Sequence, residues 1–189
     1  MKIFSATLFE TIKDQLAGIV ETIRVAGTNE ELAGVSLRVE SSRLYNDLFD
    51  ILSHGESLPF FRQNYMELSG NIDMLAGKVM RILGLRTMLS VKEWESLSGL
   101  LEAVKEAVSI FYSTWVKVER NIPESVTEIK LAGRPLGRAE EIVRGLNQLA
   151  LSAGEPTRSI YLAELANSTI ASLEAIDLSF KKLIVIIKL

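Results

Sequence analysis

The chain has 189 residues, with 21 Lys and Arg against 24 Asp and Glu and a net charge of −3, which argues against the clustered positive charge that nucleic acid requires. Hydrophobic residues make up 48% and charged residues 24%, which excludes a disordered chain, and no uncharged apolar run approaches the roughly 20 residues of a membrane span. Cysteine is absent, which removes disulfides, thiolate metal sites and cysteine nucleophiles together and points to the cytoplasm. At the start, Met1-Lys2 meets Glu10 and Lys13 before any apolar core of signal-peptide length, so export is not expected.

A first helix is expected from about Ser5 to Ala26, with Phe9, Ile12, Leu16, Ile19 and Ile23 at alternating steps of three and four. Gly27 suits its C-terminal cap, and Thr28 with Glu31 forms a capping box for the second helix. That helix carries Leu32, Val35, Val39, Leu44, Leu48 and Ile51 as its apolar positions. Ser41, Ser42 and Asn46 interrupt the face, and are read as bundle hydrogen-bonders or edge residues ahead of a binding site.

His54 and Gly55 close the second helix, and Leu58-Pro59 opens the third, because proline is at ease in a first turn. Phe61, Tyr65, Leu68, Ile72, Leu75, Val79 and Ile82 give its seam. Ser90 and Glu93 make a second capping box. From there to Ile122 runs the longest seam: Trp94, Leu97, Leu101, Val104, Val108, Phe111, Trp115 and Val118, with Leu100, Ala103, Ala107 and Ile110 beside it. A stripe that wide touches two neighbouring helices, which makes this segment the spine of an elongated bundle.

Pro123 ends the spine and starts a fifth segment with Val126, Ile129, Ala139, Ile142, Leu146 and Leu149. Gly133 and Pro135 lie inside it, and an interior proline costs about 3 kcal/mol, so a kink or short break is expected there. Gly154-Glu155-Pro156 is a loop. The last helix, from about Thr157, presents Ala166, Ile170, Leu173, Ile176, Phe180, Ile184 and Ile187. The expected fold is all-α: an elongated antiparallel bundle of about six helices in one domain over 1–189, with a weak internal duplication of roughly 1–88 and 89–189.

No catalytic constellation emerges. His54 is the single histidine, so an ordinary zinc site is excluded, and no Gly-x-Ser-x-Gly elbow presents a serine. Gly133-Arg134-Pro135-Leu136-Gly137-Arg138 lacks the order of a phosphate-binding loop, although Arg134 and Arg138 have the chemistry to hold a phosphate as a bidentate pair. Carboxylates facing inward are the feature to weigh in a bundle, and Glu40, Asp73, Glu164 and Asp177 are the acids to consider. Asp47 follows Arg43 by four residues and pairs with it across one turn. The metal-binding alternative uses Asp73, Glu40 and an acid of the last helix, with redox or hydrolytic activity.

The run His54-Gly55-Glu56-Ser57-Leu58-Pro59-Phe60-Phe61-Arg62-Gln63-Asn64, followed by Ile72-Asp73-Met74-Leu75-Ala76-Gly77, resembles the PhoU-like family. Within it, the chain is most similar to the distant PhoU relatives that accompany inorganic-phosphate permeases. Those proteins follow a Leu-Pro lead-in with Arg-Glu-Asp and, nine residues after that Asp, with Asp-x-x-Ala-Asp. Arg62, Asp73 and Ala76 match, while Gln63, Asn64 and Gly77 stand where the family has acids. In the second helix Glu40 matches the Glu of Glu-x-x-Ala-Asp, but Arg43 and Leu44 follow.

The resemblance implies a bundle of two three-helix repeats and binding positions at Arg62, Asn64 and Asp73. It also implies acidic metal motifs that are degenerate here: no metal centre is expected, Glu40 and Asp73 being the residual ligands and a bound ion the alternative. The function it implies is a non-enzymatic regulatory or accessory protein of phosphate transport. Such a protein docks on a permease or phosphate-signalling protein at the inner face of the membrane, and homo-oligomers are open to it.

Overall fold

The computed structural model describes residues 6–25, 31–54, 59–86, 88–118, 129 and 133–188. They form six helices: α1 (Ala6–Val25), α2 (Glu31–His54), α3 (Pro59–Arg86), α4 (Val91–Val118), α5 (Gly133–Ser152) and α6 (Pro156–Lys188). No strand occurs among the described residues. The expected cap residues Gly27 and Thr28, the start of a helix at Pro123, and the side chains of Phe61, Trp94, Leu97 and Arg134 lie outside the described set.

Three seams are buried as their spacing requires. On α1, Phe9, Ile12, Leu16, Ile19 and Ile23 are at most 5% exposed. Tyr65, Leu68, Ile72, Leu75, Val79 and Ile82 do the same on α3, and Val104, Val108, Phe111, Trp115 and Val118 on α4. The second row of α4 is buried at Leu100, Ala103 and Ala107. Trp115 anchors α4 to α1: its ring stacks on Phe9 at 5.2 Å between centroids, and its Nε1–H donates to the Phe9 carbonyl at 3.1 Å. Phe111 meets Phe180 of α6 edge-on at 4.8 Å.

The other three helices correct the sequence reading in detail. Val39 of α2, Leu149 of α5 and Ile170 of α6 were expected in the core and are exposed. On α2 the buried stripe is Ser41, Leu44, Leu48 and Leu52; on α5 it is Val143, Leu146 and Ala150. On α6, Thr169, Ser172 and Ser179 are buried with Leu165, Leu173, Ile176 and Leu183. Their hydroxyls donate to the carbonyl four residues back, at 2.7–2.8 Å, so they enter the core with no unmet hydrogen bond. Pro135 sits in the first turn of α5, where its missing N–H is one of the donors a helix start leaves unpaired anyway.

The helices pack in a closed order, α1–α2–α3–α6–α5–α4 and back to α1, with α1 also beside α3 and α4 beside α6. Exchanging α1 with α4, α2 with α5 and α3 with α6 leaves this set of principal neighbours unchanged. Consecutive helices of the closed order run antiparallel, which leaves α1 parallel to α3 and α4 parallel to α6. Arg81 of α3 meets Glu164 of α6 at 3.1 Å near one end, and Asn64 meets Lys182 at 3.1 Å near the other. No helix among the described residues is long and apolar enough to cross a membrane.

Candidate functional site

Asn64 and Asp73, the two carboxylate-type positions of the resemblance, both lie on α3. They are nine residues apart, and at about 100° per residue that separation puts them on opposite faces of the helix. Their partners agree. The Asn64 side chain is 4% exposed, and its Oδ1 accepts from the Lys182 ammonium of α6 at 3.1 Å. Asp73 is half-buried towards α2, where its Oδ1 accepts from the Ser42 hydroxyl at 3.1 Å. Arg62 is half-buried near the start of α3.

Lys182 also pairs with Glu67, one turn along α3 from Asn64. The ammonium, with the Gln63 amide donating at 2.8 Å, holds the Glu67 carboxyl below its usual range. A lysine of α6 thus fills the space between an amide and a carboxylate one turn apart on α3. Asn64 serves as an acceptor for the Lys182 ammonium.

Glu40 is exposed and held by Arg43, whose Nε donates to it at 3.0 Å, while Nη1 of the same arginine reaches Asp47 at 2.8 Å. Arg43 also holds the Glu40 carboxyl below its usual range. Glu164 pairs with Arg81, and Asp177 with Lys181 at 2.5 Å. Among the described residues no three His, Cys, Asp or Glu converge as a metal would need, so Glu40, Asp73 and the acids of α6 do not form one group. Arg138, from the glycine-flanked stretch, is solvated and paired with Glu106 across the α4–α5 contact. His54 is the last residue of α2.

Behind Asp73 a polar layer crosses α1, α2 and α3. Gln15, 1% exposed, donates through Nε2 to the Ser41 carbonyl at 3.3 Å and accepts from the Ser69 hydroxyl at 2.7 Å. Ser42 therefore bonds across the bundle through its hydroxyl, Ser41 does so through its backbone carbonyl while its own buried hydroxyl has no partner among the described residues, and Asn46 is exposed.

The concave feature of this side is an open groove of about 570 Å³ between α3, α6 and α2. Met66, Gly70 and Asn71 of α3 form its floor, with Tyr45 of α2 along one side. Leu178, Lys181, Lys182 and Val185 of α6 form the other side, and Glu67 stands at the rim. The sequence reading missed both the groove and Lys182. Lys182 and Asn64 are 118 residues apart, and neither position carries a local signal of the other.

No protein-family model matches the sequence, and no curated protein is similar to it. A crystal structure of a PhoU-like protein from Shewanella oneidensis MR-1 superposes with a TM-score of 0.67 at 16% identity, covering 96% of both chains. Likeness at that identity speaks to architecture, and it spans the whole bundle. The chain has the PhoU-like fold.

Proposed function

We propose that this protein is a non-enzymatic regulatory or accessory protein of inorganic phosphate transport, acting by docking its bundle on a permease or a phosphate-signalling protein. The observation that carries the reading is a combination: a PhoU-like fold over nearly the whole chain, and the Leu58-Pro59 lead-in with Arg62, Asp73 and Ala76 at the family's spacing. The acidic positions that a metal cluster would need are Gln63, Asn64 and Gly77, and Lys182 supplies the positive charge between Asn64 and Glu67. On this reading that corner of the bundle is a structural clasp, and function lies in the outer surface. Two three-helix repeats, roughly 1–88 and 89–189, make up one domain, which the exchange symmetry of the helix neighbours supports.

The expected test result is co-purification. The tagged protein, expressed in its source cells, brings down a phosphate permease or a phosphate-signalling protein from detergent-solubilised membranes in constant ratio. Purification of the permease and of the signalling proteins without the chain, from membranes that contain it, would contradict the proposal.

A further inference from the structure

α6 packs on α3, α4 and α5, and one of its faces is left to solvent. Beyond Asn167 its exposed residues are Ile170, Glu174, Leu178, Lys181 and Val185, at steps of four, four, three and four, so they form one stripe along the helix. Three of the five are large and apolar: Ile170 is 36% exposed, Leu178 45% and Val185 39%. Single residues of this kind are ordinary on a surface, whereas a row of them along about 22 Å of helix marks a contact.

The two charges between them set what the stripe fits. Glu174 is exposed and has no hydrogen-bond or ion-pair partner among the described residues. Lys181, its side chain 68% exposed, meets Asp177 one turn back on the same helix at 2.5 Å. An ammonium has three donors, so one carboxylate does not exhaust it. Along α6 the stripe therefore reads apolar, acid, apolar, base, apolar.

That order is complementary to its own reverse. Turning a second α6 end for end about the midpoint between Asp177 and Leu178 sets Ile170 of each copy opposite Val185 of the other. It sets Glu174 of each opposite Lys181 of the other, and brings the two Leu178 side chains together at the centre. Parallel pairing would instead oppose Glu174 to Glu174 and Lys181 to Lys181, which like-charge repulsion disfavours. Asp177 lies at the edge of the stripe near the axis, where the Lys181 of its own helix neutralises it. Self-complementarity of this kind is what a two-fold interface requires.

We propose that a second copy of this chain covers the face, the protein dimerising through an antiparallel, two-fold contact of α6 on α6. The apolar residues supply the attraction, and Glu174 with Lys181 fixes direction and register. Neither phosphate nor a permease enters this contact, so it stands or falls apart from the transport reading. A single helix pair lies at the small end of specific interfaces, so the dimer is expected to dissociate in the micromolar range.

The test is sedimentation velocity on the full-length purified protein over a concentration series, with circular dichroism to show that each variant is folded. Wild type is expected to pass from monomer to dimer as concentration rises. Glu174→Lys opposes lysine to Lys181, and Lys181→Glu opposes glutamate to Glu174. Each occurs twice in the dimer and is expected to weaken it about tenfold or more. Mixing the two single variants restores opposite charges at both contacts, so the mixture should dimerise more tightly than either variant alone. The double variant Glu174→Lys with Lys181→Glu should dimerise like wild type. A wild type that stays monomeric throughout would overturn the proposal, leaving the stripe to a different protein. A dimer that both single variants leave unchanged would also overturn it, because copies would then meet elsewhere. So would a mixture no tighter than its components.

Discussion

Lys182 illustrates how a single side chain decides what a corner of the bundle can do. It is partly buried and joined to Asn64 and Glu67, so its removal takes a charged donor from a buried amide oxygen and from a solvated carboxylate that Gln63 still bonds. Lys182→Met is expected to cost about 1–3 kcal/mol in urea unfolding at neutral pH. The Glu67 carboxyl is held below its ordinary value in the folded state, so its contribution is present above that value and is lost as pH falls through the folded one. The gap between wild type and Lys182→Met should therefore narrow as pH drops below about 4, near the model-peptide value for glutamate. Tyr65 has the opposite pH dependence. Burial pushes its phenol up, so the folded state resists ionisation and stability falls as pH rises above about 10, the ordinary phenol value. In thermal scans above that pH, wild type should lose melting temperature more steeply than Tyr65→Phe; parallel slopes would show that the phenol is not the cause.

At the scale of the element, legibility followed side-chain size and hydropathy. The main seams of α1, α3 and α4 are large apolar residues and could be read from spacing alone, although Gln15, Asn64, Ser69 and Thr114 are buried beside them. α5 and α6 bury small or hydroxylated residues: Ala150, Thr169, Ser172 and Ser179. A reading weighted by hydropathy preferred Leu149 and Ile170, one residue out of register. The hydroxyls of Thr169, Ser172 and Ser179 satisfy themselves within their own helix, so their polarity in sequence says nothing about their burial. α2 misleads for a related reason: Ser41, small and polar, is inward at 1% exposure, and Val39 is outward at 66%. The contrast on α5 is measurable. Leu146→Ala, at 1% exposure, should cost about 2–5 kcal/mol, whereas Leu149→Ala, at 53%, should stay within about 0.5 kcal/mol. On α3, Gly70→Ala should stabilise by up to about 1 kcal/mol, because its new methyl meets Tyr45 at ordinary contact distance and the helix loses a flexible residue.

For the whole molecule, a helical bundle was legible because the periodicity of 3.6 persists from end to end and no strand pattern competes with it. The neighbour order was not, since it depends on pairings such as Trp115 with Phe9 and Lys182 with Asn64, which are far apart in the chain. The site was legible only through the resemblance, which named Asn64 and Asp73 without showing that they face different helices. The central claim is that the bundle regulates phosphate transport, and the initial rate of labelled phosphate uptake tests it most directly. Source cells lacking this protein should take up phosphate at an altered rate that returns to normal with the wild-type chain. An uptake rate unchanged by the deletion, in phosphate-rich and phosphate-poor medium alike, would contradict the account.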